Sequence, residues 1–183
     1  MQVWWRTRSQ RRADSLADEA KRLAAEGQWA RAEAVLRQVV RLHTDRPALS
    51  LGLARSLNGL GRATEALRVL AEAKADDPQV GEGALAVLFV ALTAQALLGL
   101  DRPDEAEPRA RHAVDLARGH YHPNNHRALE AATTLCRALA AQDRRHEAEE
   151  QLTRCATAWR EHFGARHPHT VAVETELAAL ARS

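Results

Sequence analysis

The chain has 183 residues, of which 45% are hydrophobic, 27% charged and only 4% aromatic. Its 26 Lys and Arg residues nearly balance its 24 Asp and Glu residues, and a net charge of +2 gives no reason to expect a nucleic-acid partner. Two cysteines are too few for a disulfide framework, which predicts a reducing, cytoplasmic location. Strong helix formers dominate and no alternating strand pattern persists, so the composition predicts an all-α protein.

The first 12 residues form a basic segment that carries Trp4 and Trp5. They lack the apolar stretch of a signal peptide. Two interpretations are open: a frayed end that covers the first repeat, or an anchor onto an anionic membrane or an acidic partner. So short a segment gives little anchoring, which favours the first. The most apolar stretch, residues 83–100, barely reaches spanning length and holds Thr93 and Gln95, so we expect no stable membrane insertion.

Two helix pairs follow, and they repeat each other. Amphipathic periodicity predicts helices at residues 14–26 and 29–42, joined by a turn at Gly27. Residues 53–78 have the same pattern around Gly61, 34 residues after Gly27. Glycine at such a turn can take the left-handed conformation that ends a helix.

Two further pairs and a final helix complete the chain. They are predicted at residues 84–100, 103–118, 126–142, 145–163 and 168–182. Their turns fall at Asp101 and Asp143, which replace the glycines of the first two pairs, and Pro103 begins a second helix, where its missing N–H costs nothing. A loop rich in turn formers, residues 119–125, separates the third pair from the fourth.

Small residues recur at three equivalent positions of every pair, where closely crossing helices leave room only for small side chains. The triplets are Ala20, Ala32 and Val39; Ala54, Ala66 and Ala73; Ala94, Ala106 and Ala113; and Cys136, Ala148 and Cys155. The cysteines could form a redox pair across the crossing. Their place in the register favours buried packing residues instead.

These features resemble the tetratricopeptide repeat over residues 13–182, and residues 147–170, EAEEQLTRCATAWREHFGARHPHT, resemble the kinesin-light-chain type. The resemblance implies a single domain, a right-handed α-solenoid of four units and a capping helix. The units are residues 13–45, 47–78, 84–118 and 126–163, with the cap at 168–182. Thr133 and Thr134 stand where that family has paired asparagines facing the groove.

No catalytic, cofactor or metal site is predicted. His120, His122 and His126 flank one loop and His162, His167 and His169 another, but their spacing matches no zinc motif, which favours surface histidines of loops and cap. Glycine-rich phosphate loops and nucleophile motifs are also missing from the sequence. We therefore expect a protein that is not an enzyme.

The resemblance places the first helix of each pair on a concave groove. The predicted partner-binding residues, expected to be exposed there, are Asp14, Lys21, Arg55, Asn58, Gln95, Glu130, Thr133, Arg137 and Thr175. Lys21, Arg55 and Arg137 occupy equivalent positions and predict a basic strip suited to an acidic segment or a C-terminal carboxylate. The alternative is a solvated face whose basic residues only keep the helices soluble.

The leading hypothesis is an adaptor that binds a protein or peptide in this groove. Two alternatives are a sensor that responds to a small ligand or peptide, and a scaffold that self-associates as a homodimer through Trp4, Trp5 and Trp29. The composition, rich in Ala and Arg, suggests a bacterial genome of high GC content.

Overall fold

A computed structural model describes residues 8–41, 47–76 and 83–182. Within these ranges it contains nine α-helices and no strand, which confirms the all-α class. The helices are α1 Arg8–Ala25, α2 Trp29–Val40, α3 Pro47–Gly59, α4 Ala63–Asp76, α5 Gly83–Leu98, α6 Pro103–His120, α7 His126–Ala141, α8 Arg145–Phe163 and α9 Pro168–Leu180. Most predicted ends fall within about two residues of these, although α1 and α3 begin earlier than expected. Trp4 and Trp5 lie outside the described residues.

The helices form two compact units, residues 1–77 with α1 to α4 and residues 78–183 with α5 to α9. The division falls between the second and third predicted repeats. Within each unit, every helix packs on the next one in sequence, and the first helices of successive pairs also touch, α1 on α3 and α5 on α7. Packing between sequence neighbours is the arrangement of an α-solenoid.

The small-residue register is confirmed. All twelve predicted positions are buried, and none of them is more than 6% exposed. The register therefore marks where the helices cross, and Cys136 and Cys155 are buried, free thiols at two of these crossings.

All four helix pairs close with the same turn. The turn residues, each with a positive φ between 56° and 72°, are Gly27, Gly61, Asp101 and Asp143. Two backbone hydrogen bonds close each turn: Gly61 N–H donates to the Asn58 carbonyl at 3.0 Å, and Arg62 N–H to the Leu57 carbonyl at 2.9 Å. This is the Schellman arrangement, which satisfies the last carbonyls of the first helix.

Helix α5 is apolar nearly all round, and eleven of its sixteen residues, Ala86 to Ala94 with Ala96 and Leu97, are buried. A helix buried on every side belongs in the core of its unit. Among the described residues, no helix combines the length and apolar character needed to cross a membrane.

Candidate partner-binding surface

In the first unit, the predicted groove residues lie on the first helix of each pair. Asp14 and Lys21 belong to α1, and Arg55 and Asn58 to α3. Lys21 is exposed and its ammonium group pairs with Asp18, one turn earlier, at 2.9 Å. The other three are half-buried. This unit thus presents polar side chains on both first helices.

In the second unit, the expected exposure of Glu130 and Thr133 is wrong. Both are buried, at 7% and 4% exposure. The Thr133 hydroxyl donates to the Leu129 carbonyl at 2.8 Å and accepts from the Trp159 indole N–H at 3.2 Å, so it joins α7 to α8. Gln95 on α5 donates to Glu130 at 3.4 Å, which joins α5 to α7. Thr133 therefore lies in the contact of α7 with α8, and Glu130 in the contact of α7 with α5.

Arg137 and Thr175 remain accessible. The Arg137 guanidinium donates from Nε and Nη2 to the Glu176 carboxylate, with a shortest distance of 2.7 Å, and so links α7 to α9. The two side chains are 39% and 35% exposed. Within the part of the chain that the structure describes, Nη1 makes no hydrogen bond. Thr175 is exposed on α9.

Beside this ion pair lies an apolar cavity of about 430 Å³. Residues of α7, α8 and α9 line it: Cys136, Arg137, Ala140, Leu152, Glu176, Ala179 and Leu180. Helical periodicity does not predict the cavity, because its walls come from three helices and depend on where α9 lies against the pair before it. The cavity combines an apolar floor with a guanidinium on its wall.

A second feature that the sequence analysis missed is an ionic network at the turns. In the first unit, Glu33 of α2 accepts from Arg37 at 2.7 Å and from Arg62 at 2.6 Å. Arg62, which follows the turn, also donates from Nε to the Glu65 carboxylate at 2.6 Å. This hydrogen bond lowers the pKa of the Glu65 carboxyl group. The recurring Arg-x-x-Glu after three of the turns could have indicated it.

The second unit has the equivalent network around Glu107 of α6. Its carboxylate is 14% exposed and accepts from Arg111 at 2.6 Å, Arg144 at 2.7 Å and Gln142 at 2.8 Å. Burial raises the pKa of Glu107, but the hydrogen bonds from Gln142, Arg111 and Arg144 outweigh it and lower the pKa to about 2. Both networks tie one helix pair to the next, so they support the fold.

The histidines divide into two sets. His120, His122 and His162 are exposed, as predicted. His126, His167 and His169 are half-buried against Trp159, so the expectation of surface histidines is wrong for these three. The His169 ring stacks on the buried Trp159 indole at 4.8 Å and 14°, and His126 meets it edge-on at 5.0 Å. No group of three ligands that could hold a metal ion occurs among the described residues.

Comparisons with known proteins agree with this architecture. Family models of the tetratricopeptide repeat match residues 23–88 and 129–169, which together are more than half of the chain. The chain belongs to the tetratricopeptide repeat family. No curated protein matches its sequence.

Two solved structures illustrate the fold. The kinesin-light-chain nearly identical TPR-like repeats of Podosopora anserina superpose with a TM-score of 0.65 at 23% identity, over 97% of this chain and 88% of the other. The MamA 41-end protein of Desulfovibrio magneticus RS-1 superposes with a TM-score of 0.55 at 16% identity, over 93% and 95% of the two chains. At these identities the likeness concerns the fold alone. Tetratricopeptide folds are typically non-catalytic scaffolds for protein interactions.

Proposed function

We propose that the protein is a non-catalytic adaptor that binds a peptide segment of a partner, and that the second unit holds the main contact. The observation that supports this most directly is the cavity between α7, α8 and α9, with Arg137 on its wall. No cofactor takes part in this function, and the two free thiols suit a reducing compartment such as the cytoplasm.

The chemistry of the cavity suggests what it binds. Its volume of about 430 Å³ lies in the lower range of ligand pockets, enough for one or two apolar side chains of a peptide. Leu152, Ala179 and Leu180 provide an apolar lining, and burial of an apolar side chain there would drive binding. Specificity would then come from the polar group at the rim.

Arg137 is that group. Its Nε and Nη2 hold Glu176, while Nη1 has no hydrogen bond within the described residues, so the guanidinium can still donate to an incoming carboxylate. We therefore propose a partner whose apolar residue lies beside an acidic side chain or a C-terminal carboxylate. Gln95, Glu130 and Thr133 would contribute by holding α7 in place. Thr175 would border the contact.

The first unit would add a second, weaker contact. Asp14, Lys21, Arg55 and Asn58 provide polar groups on α1 and α3 for polar groups of the partner. The self-association hypothesis requires Trp29 to contact a second copy of the chain. We favour the adaptor because Trp29 packs against Gly59 of its own unit.

The test is selection of peptides from a random library against the purified full chain, with free and with amidated C-termini. We expect enriched peptides that place an apolar residue next to a carboxylate. The variant Arg137→Gln should weaken their binding by about tenfold, the value of one charge-assisted hydrogen bond. Ala140→Phe, which fills the cavity, should weaken it at least as much.

The matched control is Arg154→Gln on α8, an arginine whose side chain is 68% exposed and which, among the described residues, pairs only with Glu150 one turn away. It should leave binding unchanged. Circular dichroism would establish that each variant is folded. Peptides without a carboxylate, or binding that neither Arg137→Gln nor Ala140→Phe weakens, would contradict the proposed site.

A further inference from the structure

Helix α9 has the register of a first helix. Helix α7 begins after Asn125, whose side chain accepts a hydrogen bond from the Arg127 N–H at 2.9 Å. Helix α9 begins after His167, 42 residues later, whose Nδ1 accepts from the His169 N–H at 3.3 Å. The two caps satisfy the same backbone donor. Each residue of α9 can therefore be compared with the α7 residue 42 positions before it.

This comparison identifies a face that is covered on α7 and exposed on α9. On α7 the face consists of Leu129, Thr133 and Cys136, which are 6%, 4% and 2% exposed. Helix α8 covers it, because Leu129 and Cys136 belong to one core with Trp159. The counterparts on α9 are all exposed: Val171, at 51%, with Thr175 and Ala178.

The exposed face lies opposite the side by which α9 is anchored. Val173 is fully buried, and Leu177 and Leu180 pack against the core of α7 and α8. Val171 and Ala178 are two turns apart on the other side of the helix. Helix α9 is therefore apolar on two sides, and only one of them is covered by described residues.

We propose that the cap face, formed by Val171, Thr175, Ala178 and the exposed Arg182, docks a helix of a partner protein in the way that α8 docks on α7. This site differs from the cavity beside Arg137, because none of the four residues lines that cavity. The α7–α8 contact is the template for the chemistry of the partner helix.

The template predicts a tryptophan in the partner helix. The Thr133 hydroxyl donates to the Leu129 carbonyl at 2.8 Å and accepts from the Trp159 indole N–H at 3.2 Å. The Thr175 hydroxyl donates to the Val171 carbonyl at the same distance, 2.8 Å. No described residue donates to Thr175. Its oxygen can therefore accept an indole N–H from a docked helix.

Two further features define the partner helix. Ala178 continues the small-residue register and permits a close crossing with another small side chain. Arg182 follows the end of α9. Helix α8 begins beside the end of α7, where the Arg144 N–H donates to the Leu139 carbonyl at 3.1 Å. A partner helix that runs antiparallel to α9 would likewise begin beside Arg182, and an acidic residue in its first turn would pair with the guanidinium.

This chemistry favours a partner helix over a second copy of α9. Helix α9 contains no tryptophan and has no acidic residue in its first turn. Two copies of α9 placed antiparallel would therefore leave Thr175 without a donor and Arg182 without a carboxylate from the facing first turn.

The probe is a labelled peptide with the sequence of residues 145–163, in which Cys155→Ala prevents oxidation. It carries Glu147 in its first turn and Trp159 near its end. Fluorescence anisotropy with the purified full chain should show saturable binding. Ala178→Leu in the chain should weaken this binding tenfold or more, since the added atoms block the close crossing. The matched control, Ala30→Leu at an exposed position of α2, should have no effect.

A double-variant cycle tests the predicted hydrogen bond. Thr175→Val in the chain and Trp159→Phe in the peptide should each weaken binding about fivefold, and together no more than either alone. Circular dichroism would establish that each chain variant is folded. Arg137→Gln should leave this binding unchanged, so that the cap face and the cavity can fail independently.

Three results would overturn the proposal. One is that the peptide does not bind at concentrations up to about 1 mM. The second is that Ala178→Leu binds it as well as the wild type does, which would mean that the peptide replaces α8 or binds elsewhere. The third is that light scattering shows a dimer of the chain that Ala178→Leu dissociates, which would assign the face to a second copy.

Discussion

The two units close their helix pairs with the same backbone turn but with different residues. The first unit uses Gly27 and Gly61, at φ of 72° and 71°, and the second uses Asp101 and Asp143, at 56° and 60°. The closing hydrogen bonds are nevertheless equivalent in all four turns. The comparison shows that the turn requires a residue in the left-handed conformation and hydrogen bonds to two carbonyls at the end of the first helix. It does not require glycine itself. Aspartate is one of the few other residues that adopt this conformation at modest cost.

The units differ more at their tryptophans. Trp29 stands at the start of α2, half-buried, with its indole against the backbone of Gly59 on α3. Trp159 lies toward the end of α8 and is fully buried beneath three imidazoles. Helix α8 has 19 residues and α2 has 12, and Trp159 lies in the additional turns of α8. One repeat geometry therefore accepts its aromatic at either end of the second helix.

The largest expected change in the free energy of unfolding distinguishes these two tryptophans. We expect Trp159→Ala to reduce the free energy of unfolding by about 3 to 5 kcal/mol, because it removes a fully buried indole and leaves the Thr133 hydroxyl without its donor. Trp29→Ala should cost less than half as much, since its indole is only half-buried. Urea unfolding followed by far-UV circular dichroism measures both. Equal losses would show that burial does not distinguish the two sites.

The next effect tests the contact of Trp29 with Gly59. A β-carbon at Gly59 would come within 2.4 Å of the indole, so Gly59→Ala should cost about 1 to 3 kcal/mol. The matched control on the same helix is Gly52→Ala, whose β-carbon would meet Leu36 at 3.5 Å, an ordinary contact. That change should be neutral or stabilise the helix by up to ~1 kcal/mol.

A double variant makes this test specific. In a Trp29→Ala background, Gly59→Ala should lose its penalty, because the clashing ring is gone. If the penalty persists, the glycine is required for a reason other than the indole.

Local sequence patterns predicted most of the fold. Turns, helix crossings and helix ends depend on residues that are close in sequence. Gly61 therefore indicates a turn, Ala66 a helix crossing and Pro103 the first residue of a helix. Contacts between helices of successive pairs were not predictable in this way. The burial of Glu130 and the ion pair of Arg137 with Glu176 depend on which side chain of the next pair faces them, which a helical period does not specify.

The third effect compares the two ionic networks. Glu107 in the second unit has three donors, whereas Glu33 in the first has two arginines. At pH 7 we expect Glu107→Gln to cost about 1 to 2 kcal/mol, allowing for screening by solvent, and Glu33→Gln to cost less. The exposed Glu72→Gln should change the free energy of unfolding by no more than ~0.5 kcal/mol.

The cost at Glu107 should depend on pH in a stated direction. Its pKa is about 2 in the folded chain, below its ordinary value of 4.5. The carboxylate therefore contributes its full stabilisation above pH 4.5 and loses it as the pH falls toward 2. Urea unfolding of the wild type and of Glu107→Gln should be measured across this pH interval. The difference between their free energies of unfolding should shrink as the pH falls. A difference that stays constant would mean that packing, rather than charge, accounts for the effect.

The smallest effect returns to the turns. Asp101→Gly should stabilise the chain by about 0.5 kcal/mol, because relief of left-handed strain slightly exceeds the added entropy of an unfolded glycine. Gly61→Asp should destabilise it by a similar amount. Asp143 is a less suitable site, since its carboxylate also pairs with Arg145 at 2.9 Å. Thermal unfolding of Asp101→Gly and Gly61→Asp measures both effects. If the turns are equivalent, the two midpoint temperatures should shift in opposite directions by similar amounts. Shifts of the same sign would instead show that each turn is adapted to its own residue, and that equal hydrogen bonds do not imply equal strain.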